Sequence, residues 1–171
     1  MLILAACAAL AVIAAGCGSD SSTSTTATNS PSPSGEETAG AAQSGAEAEK
    51  RTRPKVEVPK GPPPKELVTK DLIEGSGPEA KSGDEVTVQY AGVLYKTGKE
   101  FDASWNRGEP FSFTLGTGGV IPGWDQGVEG MKVGGRRELI IPPELAYGSQ
   151  GVGPIPPEST LVFVIDLLSV N

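Results

Sequence analysis

The sequence contains no histidine and only two cysteines among its 171 residues. Without histidine, Ser–His–Asp catalysis and histidine-ligated metal sites are excluded. Cys7 and Cys17 both precede a long polar stretch, so the rest of the chain has neither a disulfide framework nor a thiolate nucleophile. The acidic residues show no EF-hand spacing. We therefore predict no metal site and no cofactor.

Positive charge is also scarce, because 14 Lys and Arg face 21 Asp and Glu and leave a net charge of −7. Residues 18–65 carry 6 charges of each sign, so the acidic excess belongs to residues 66–171, where 8 basic residues face 15 acidic ones. A domain of this charge is unsuited to bind a polyanion, and we predict no nucleic-acid partner.

The N-terminal residues carry a targeting pattern. Residues 2–15 form an apolar run that is shorter than the roughly 20 residues of a membrane span. The run leads into Gly16-Cys17 and then a polar stretch, which is typical of a signal peptide and resembles the lipobox of bacterial lipoproteins. We therefore expect residues 1–16 to be a signal peptide. The resemblance implies an extracytoplasmic protein anchored to the bacterial cell membrane by lipidated Cys17; a secreted protein is the alternative.

A polar stretch separates this segment from the rest of the chain. Residues 18–45 are rich in Ser, Thr, Ala and Gly, a composition that cannot offset the entropy of the chain. Residues 54–65 are rich in proline and favour extended polyproline conformation. We predict that residues 17–65 are a disordered tether, which begins at the lipidated cysteine and holds residues 66–171 away from the membrane.

Residues 66–171 show mainly the period-2 alternation of β-strands. One segment, Gly123 to Met131, has the character of a helix, and its internal glycines keep it short. The pattern predicts an α+β fold, with a curved antiparallel sheet of four to six strands wrapped over one short helix. We expect a monomer. The candidate strands are residues 67–73, 85–90, 111–115, 136–141 and 160–167.

Six ordered motifs follow one another along this domain. They are Val88-Gln89-Tyr90-Ala91-Gly92, Gly98-Lys99-Glu100-Phe101-Asp102-Ala103-Ser104, Pro110-Phe111-Ser112-Phe113, Val120-Ile121-Pro122-Gly123-Trp124, Ala146-Tyr147-Gly148 and Ile155-Pro156-Pro157 with Thr160-Leu161-Val162-Phe163. Together they are far more specific than any one alone. Over essentially its full length, the domain resembles the FKBP-type peptidyl-prolyl cis–trans isomerases.

The resemblance implies a pocket for a prolyl ring, with Trp124 as its floor. The catalytic residues it implies are Asp102, Tyr147 and Trp124. It pairs Asp102 with Arg107 at the pocket edge, and it gives hydrogen bonds from the Ile121 backbone N–H and the Tyr147 hydroxyl to substrate carbonyls. The residues it implies for substrate binding are Tyr90, Phe101, Phe111, Val120, Ile121, Ile155 and Phe163.

An apolar pocket suits the isomerisation of X–Pro bonds. Rotation about an amide breaks its conjugation at a cost of about 20 kcal/mol, but no covalent bond forms, so no nucleophile is required. The twisted amide separates less charge than the planar one, so a dry pocket favours it relative to water. The resemblance implies an isomerase of exported, proline-containing polypeptides that also binds macrolides such as FK506 or rapamycin. The alternative is a non-enzymatic chaperone or scaffold that binds proline-containing segments.

Overall fold

Six antiparallel strands and two short helices follow one another in the C-terminal two thirds of the chain. The structure, a computed structural model, describes residue 48 and residues 50–171. The predicted signal peptide, Cys17 and most of the predicted tether lie outside the described residues. The elements are β1 (Val68–Ile73), β2 (Glu85–Leu94), β3 (Glu100–Ala103), α1 (Ser104–Arg107), β4 (Phe111–Thr114), α2 (Pro122–Val128), β5 (Arg136–Ile141), a 3₁₀ turn (Pro143–Leu145) and β6 (Leu161–Val170).

The strands form one sheet in the order β1-β5-β6-β2-β3, with β4 also paired to β2. This confirms the predicted fold class, an antiparallel sheet with a short helix. The strand β3 and the single turn α1 were not predicted, because four-residue segments show too little periodicity to be recognised. Among the described residues, no helix is long and apolar enough to cross a membrane.

The long strand β2 shares one of its edges between two short partners. β4 pairs with residues 85–88 of β2, and β3 pairs with residues 91–93. At the junction, the fully buried hydroxyl of Ser104 accepts a hydrogen bond from the Tyr90 backbone N–H at 2.8 Å and itself donates to the side chain of Gln89. A side chain thus satisfies a backbone donor that a buried strand would otherwise leave unpaired.

Helix α2 packs directly on the concave face of the sheet. Pro122 begins the helix, a position where its missing N–H costs nothing. A Cβ on Gly127 would lie 2.7 Å from the side chain of Leu139 in β5, so this glycine permits the close approach. Leu139 and Ile141 of β5 are fully buried beneath the helix. The concave face therefore holds the main hydrophobic core.

The convex face of the sheet is covered by residues that precede β1. Val56 and Val58 pack against a second buried cluster formed by Val93, Tyr95, Ile140 and Val162. These two valines belong to the stretch that composition assigns to the tether. The predicted boundary at residue 66 stays a prediction, but the structure places Arg51, Val56, Val58 and Pro62 in contact with the convex face. Because Val56 and Val58 are two residues apart in an extended segment, both side chains can pack on this convex cluster.

Candidate active site

A pocket of about 210 Å³ opens on the concave side, beside the N-terminus of α2. Seven segments of the described chain contribute to it, so its shape depends on the tertiary fold rather than on any local segment. Its lining residues come from β2, β3, β4, β6, the loop before α2, α2 itself and the segment after the 3₁₀ turn. They are Tyr90, Phe101, Asp102, Phe111, Gly119, Val120, Ile121, Trp124, Tyr147 and Phe163.

Trp124 lies at the bottom of the pocket with only 4% of its surface exposed. Its indole meets the rings of Tyr90 and Phe163 edge to face, with centroids 5.0 and 5.3 Å apart. This is the favoured geometry of aromatic pairs. The buried indole N–H has no hydrogen-bond partner among the described residues. Trp124 therefore contributes an apolar surface whose orientation is fixed by the rings around it.

Two phenylalanines form one wall above this floor. The rings of Phe101 and Phe163 meet edge to face at 5.5 Å, and both lie against Gly92 of β2. A Cβ on Gly92 would come within 2.7 Å of Phe101 Cζ and of Phe163 Cε1. The absence of a side chain at residue 92 is therefore what allows both rings to stand beside the strand.

The polar edge of the pocket is a triangle of hydrogen-bonded side chains. The Tyr90 hydroxyl donates to Asp102 Oδ2 at 2.5 Å, and Arg107 Nη1 donates to Asp102 Oδ1 at 2.7 Å. Arg107 Nη2 also donates to the Tyr90 hydroxyl at 2.8 Å. Both carboxylate oxygens of Asp102 are thereby occupied. Helix α1 positions this group, because Arg107 is its last residue and follows Asp102 by little more than one turn.

The two tyrosines of the pocket are held in their protonated form. Burial raises the pKa of the Tyr90 hydroxyl; the bond to Asp102 acts in the same direction, and Arg107 opposes it. Burial also raises the pKa of Tyr147, with a smaller contribution from the charge of Asp102. Both hydroxyls therefore keep their protons at neutral pH.

Besides the buried indole N–H of Trp124, two hydrogen-bond donors at the border of the pocket have no acceptor within the described part of the chain. They are the Tyr147 hydroxyl and the backbone N–H of Ile121, which immediately precedes α2. A polar group that can donate and does not is available to a bound molecule. The pocket therefore combines an apolar interior with two donors at its border.

The structure brings together nine of the ten side chains assigned to substrate binding or catalysis from the sequence. Ile155 is the exception: it is 5% exposed and packs in the main core, while its backbone bonds to Val152. Gly119 lines the pocket without having been predicted, since a glycine in a turn carries no chemical signal. No cluster of three or more potential metal ligands occurs among the described residues.

Comparison with known proteins agrees with this geometry. A family model described as FKBP-type peptidyl-prolyl cis-trans isomerase matches residues 77–168. An FK506-binding protein of Streptomyces anulatus is 60% identical over 120 residues, which cover 69% of this chain and 97% of the relative. A probable FK506-binding protein of Corynebacterium glutamicum is 54% identical over 117 residues, 68% of this chain and 98% of that protein.

A solved structure gives the same answer for the fold. The crystal structure of AtFKBP13 superposes with a TM-score of 0.58 at 45% sequence identity, covering 61% of this chain and 93% of that one. The fold places an aromatic pocket on the concave side of the sheet. The chain belongs to the FKBP-type peptidyl-prolyl cis–trans isomerase family and is an enzyme of that class.

Proposed function

We propose that the pocket above Trp124 binds the prolyl ring of an X–Pro segment and accelerates its isomerisation without a covalent step. The main support for this proposal is the combination of an aromatic pocket of about 210 Å³ with two unpaired hydrogen-bond donors at its border. The Ile121 N–H and the Tyr147 hydroxyl would bind carbonyl oxygens on the two sides of the ring. The polypeptide would then be held while the bond between these two points rotates.

The arrangement suits the energetics of amide rotation. Twisting removes the conjugation that separates charge in the planar amide. The twisted transition state is therefore less strongly hydrated than the planar ground state and loses less hydration free energy on entering the pocket. The floor and walls supply the water-excluding surface through Trp124, Phe101 and Phe163. Binding that strengthens as the bond twists is the source of acceleration.

Asp102 acts in this proposal by orientation and charge rather than by proton transfer. Its oxygens already accept hydrogen bonds from Tyr90 and Arg107, so the carboxylate is not a free base or nucleophile. It fixes the ring of Tyr90 against the floor and places a negative charge at the pocket edge. Isomerisation breaks no covalent bond, so a residue of this kind is sufficient.

The test is an X–Pro tetrapeptide assay on the purified chain, with Tyr147→Phe as the variant and Tyr95→Phe as its matched control. Tyr95 is also largely buried, but its hydroxyl points to the carbonyl of Pro62 on the convex side. Loss of one hydrogen bond predicts a fall of about fivefold in kcat/KM for Tyr147→Phe and no change for Tyr95→Phe. Equal activity of both variants would remove Tyr147 from the mechanism, and binding without acceleration would favour a scaffold.

The name shared by the two relatives, FK506-binding protein, extends the proposal to macrolide ligands. FK506 or rapamycin would occupy the same aromatic pocket and compete with the prolyl ring. Titration of FK506 against tetrapeptide turnover tests this. Inhibition that remains non-competitive at all substrate concentrations would place the macrolide elsewhere.

We further propose that the domain works outside the bacterial cytoplasm on exported polypeptides, as a monomer anchored through lipidated Cys17. Support comes from the apolar run that ends at Gly16-Cys17. Acyl chains contribute on the order of 0.8 kcal/mol per buried CH₂, so several chains hold a protein stably at a membrane. Mass spectrometry of the mature N-terminus tests the anchor, because an unmodified residue there would instead indicate a secreted protein.

A further inference from the structure

The segment that precedes the predicted domain is strongly basic. Residues 50–65, the basic segment, contain six Lys or Arg and one acidic residue, whereas residues 66–171 carry the acidic excess. Its first arginine, Arg51, lies 3.4 Å from the fully buried carboxylate of Asp166, which Arg136 also binds at 2.7 Å. Opposite charges and the two valines thus hold the basic segment on the convex face.

The second arginine of the segment binds two residues that lie close in sequence to the polar edge of the pocket. Arg53 forms an ion pair with Glu100 through Nη2, and its Nη1 donates to Asn106 Oδ1 at 2.9 Å. Asn106 in turn donates to Glu100 Oε1 at 2.9 Å. One guanidinium therefore connects β3 to α1, and the bond from Arg53 lowers the pKa of Glu100 against the effect of partial burial.

The two residues that Arg53 binds flank the polar edge of the pocket. Glu100 precedes Asp102 by two residues on β3, and Asn106 immediately precedes Arg107 on α1. β3 and α1 are each four residues long, too short to hold their geometry by their own backbone hydrogen bonds. The angle between them decides whether Arg107 reaches both Asp102 and Tyr90.

We propose that Arg53 is a positioning residue for isomerisation: by fastening Glu100 and Asn106 together it keeps the Asp102–Arg107–Tyr90 triangle in the arrangement that the pocket uses. The inference rests on the proposed function of the pocket. It makes the basic segment part of the working enzyme rather than only a spacer, because removal of this segment would leave the edge of the site without its outer support.

The test compares Arg53→Ala, Arg53→Lys and Lys55→Ala in the full chain. Lys55 lies in the same segment and, among the residues that the structure describes, pairs only with the exposed Glu57, so it controls for loss of a positive charge. Arg53 is 40% exposed, and a pair of this exposure predicts a fall of about two- to fivefold in kcat/KM for Arg53→Ala. Arg53→Lys should recover part of the lost kcat/KM, since lysine keeps the positive charge but not the forked geometry of the guanidinium. Lys55→Ala retains full activity.

Two further measurements separate positioning from general stability. Arg53→Ala should shift the guanidinium NMR resonances of Arg107, while its thermal midpoint stays close to that of Lys55→Ala. Glu100→Gln, which removes the acceptor charge and leaves Arg53 in place, should lower kcat/KM in the same direction. Unchanged turnover in both Arg53→Ala and Glu100→Gln would overturn the proposal, as would an equal loss in Lys55→Ala.

Combination with Asp102→Ala distinguishes failure of this inference from failure of the proposed function. If both hold, Asp102→Ala lowers kcat/KM and the added Arg53→Ala changes it no further, because coupled sites are not additive. Fully additive losses would show that Arg53 acts elsewhere. Full activity of Asp102→Ala alone would instead refute the assigned role of the triangle.

Discussion

The two faces of the same sheet are built on opposite principles. The concave face carries aromatic rings, a pocket and two donors without partners among the described residues, with one polar triangle at its edge. The convex face buries a carboxylate, Asp166, and satisfies it with two arginines. The concave face therefore has free hydrogen-bond donors that a substrate can bind. On the convex face the carboxylate of Asp166 is bound by arginines of the same chain. The pocket thus lies on one face and the basic segment is attached to the other, and Arg53 is the proposed link between the two.

The largest effect is expected from removing the floor of the concave face. Trp124→Ala should cost about 3–5 kcal/mol of unfolding free energy and abolish measurable turnover, because both the core and the prolyl surface are lost. Trp124→Phe keeps an aromatic floor and loses no hydrogen bond, since the indole N–H makes none among the described residues. Chemical denaturation and the tetrapeptide assay should therefore rank Phe well above Ala. Equal loss for both would contradict the role of an aromatic surface.

The corresponding change on the convex face is Asp166→Ala. The substitution leaves Arg136 without its carboxylate partner and creates a small cavity. Breaking a buried ion pair costs about 3–5 kcal/mol of unfolding free energy. Asp166 faces away from the pocket and, among the residues described, is connected to it only through the segment that carries Arg53. After correction for the folded fraction, kcat/KM should therefore fall by no more than it does in Arg53→Ala. A larger fall would show that the two faces are coupled by another route.

Neighbouring residues on β2 sharpen the comparison further. Gly92→Ala would press on Phe101 and Phe163, so we expect a cost of about 1–3 kcal/mol from overpacking together with a fall in kcat/KM. Val93→Ala removes two methyl groups from the convex cluster. It should lower the unfolding free energy by a comparable amount and leave kcat/KM intact. Matched losses of activity in the two variants would argue against separate faces.

The smallest effect concerns pH. With no histidine in the chain and the pKa of Tyr90 and Tyr147 both raised, kcat/KM should be flat between about pH 6 and 9. A raised tyrosine pKa gives stability that is complete below the unfolded value near 10 and is lost as pH rises through the folded value. Stability measured by denaturation should therefore decline only above about pH 10. A catalytic transition near pH 7 would point to a group outside the pocket described.

Sequence patterns were sufficient for the parts of the molecule with regular periodicity. Alternation identified β2 and β4, and the helical character of Gly123 to Met131 located α2, which the structure places at Pro122–Val128. Sequence patterns were insufficient where tertiary contacts determine the structure of a segment. β3 and α1 are each a single short segment without repeat, and Ile155 lies in a loop whose burial depends on the sheet beneath it.

The basic segment shows the same limit most clearly. Its composition predicts a solvated chain, and only its partners reveal otherwise: Arg51 meets a carboxylate in β6, more than a hundred residues away. The pocket residues were proposed through family resemblance, because single aromatic residues in a sequence do not disclose which of them share a cavity.

The divided edge of β2 has a consequence for how such an enzyme can diversify. Because β3 and β4 pair with separate halves of one strand, the eleven-residue stretch from Glu100 to Pro110 can change length or composition without shifting the register of the remaining strands. That stretch carries Phe101, Asp102 and Arg107. The fold thus combines a variable edge of the pocket with a constant frame of the remaining strands.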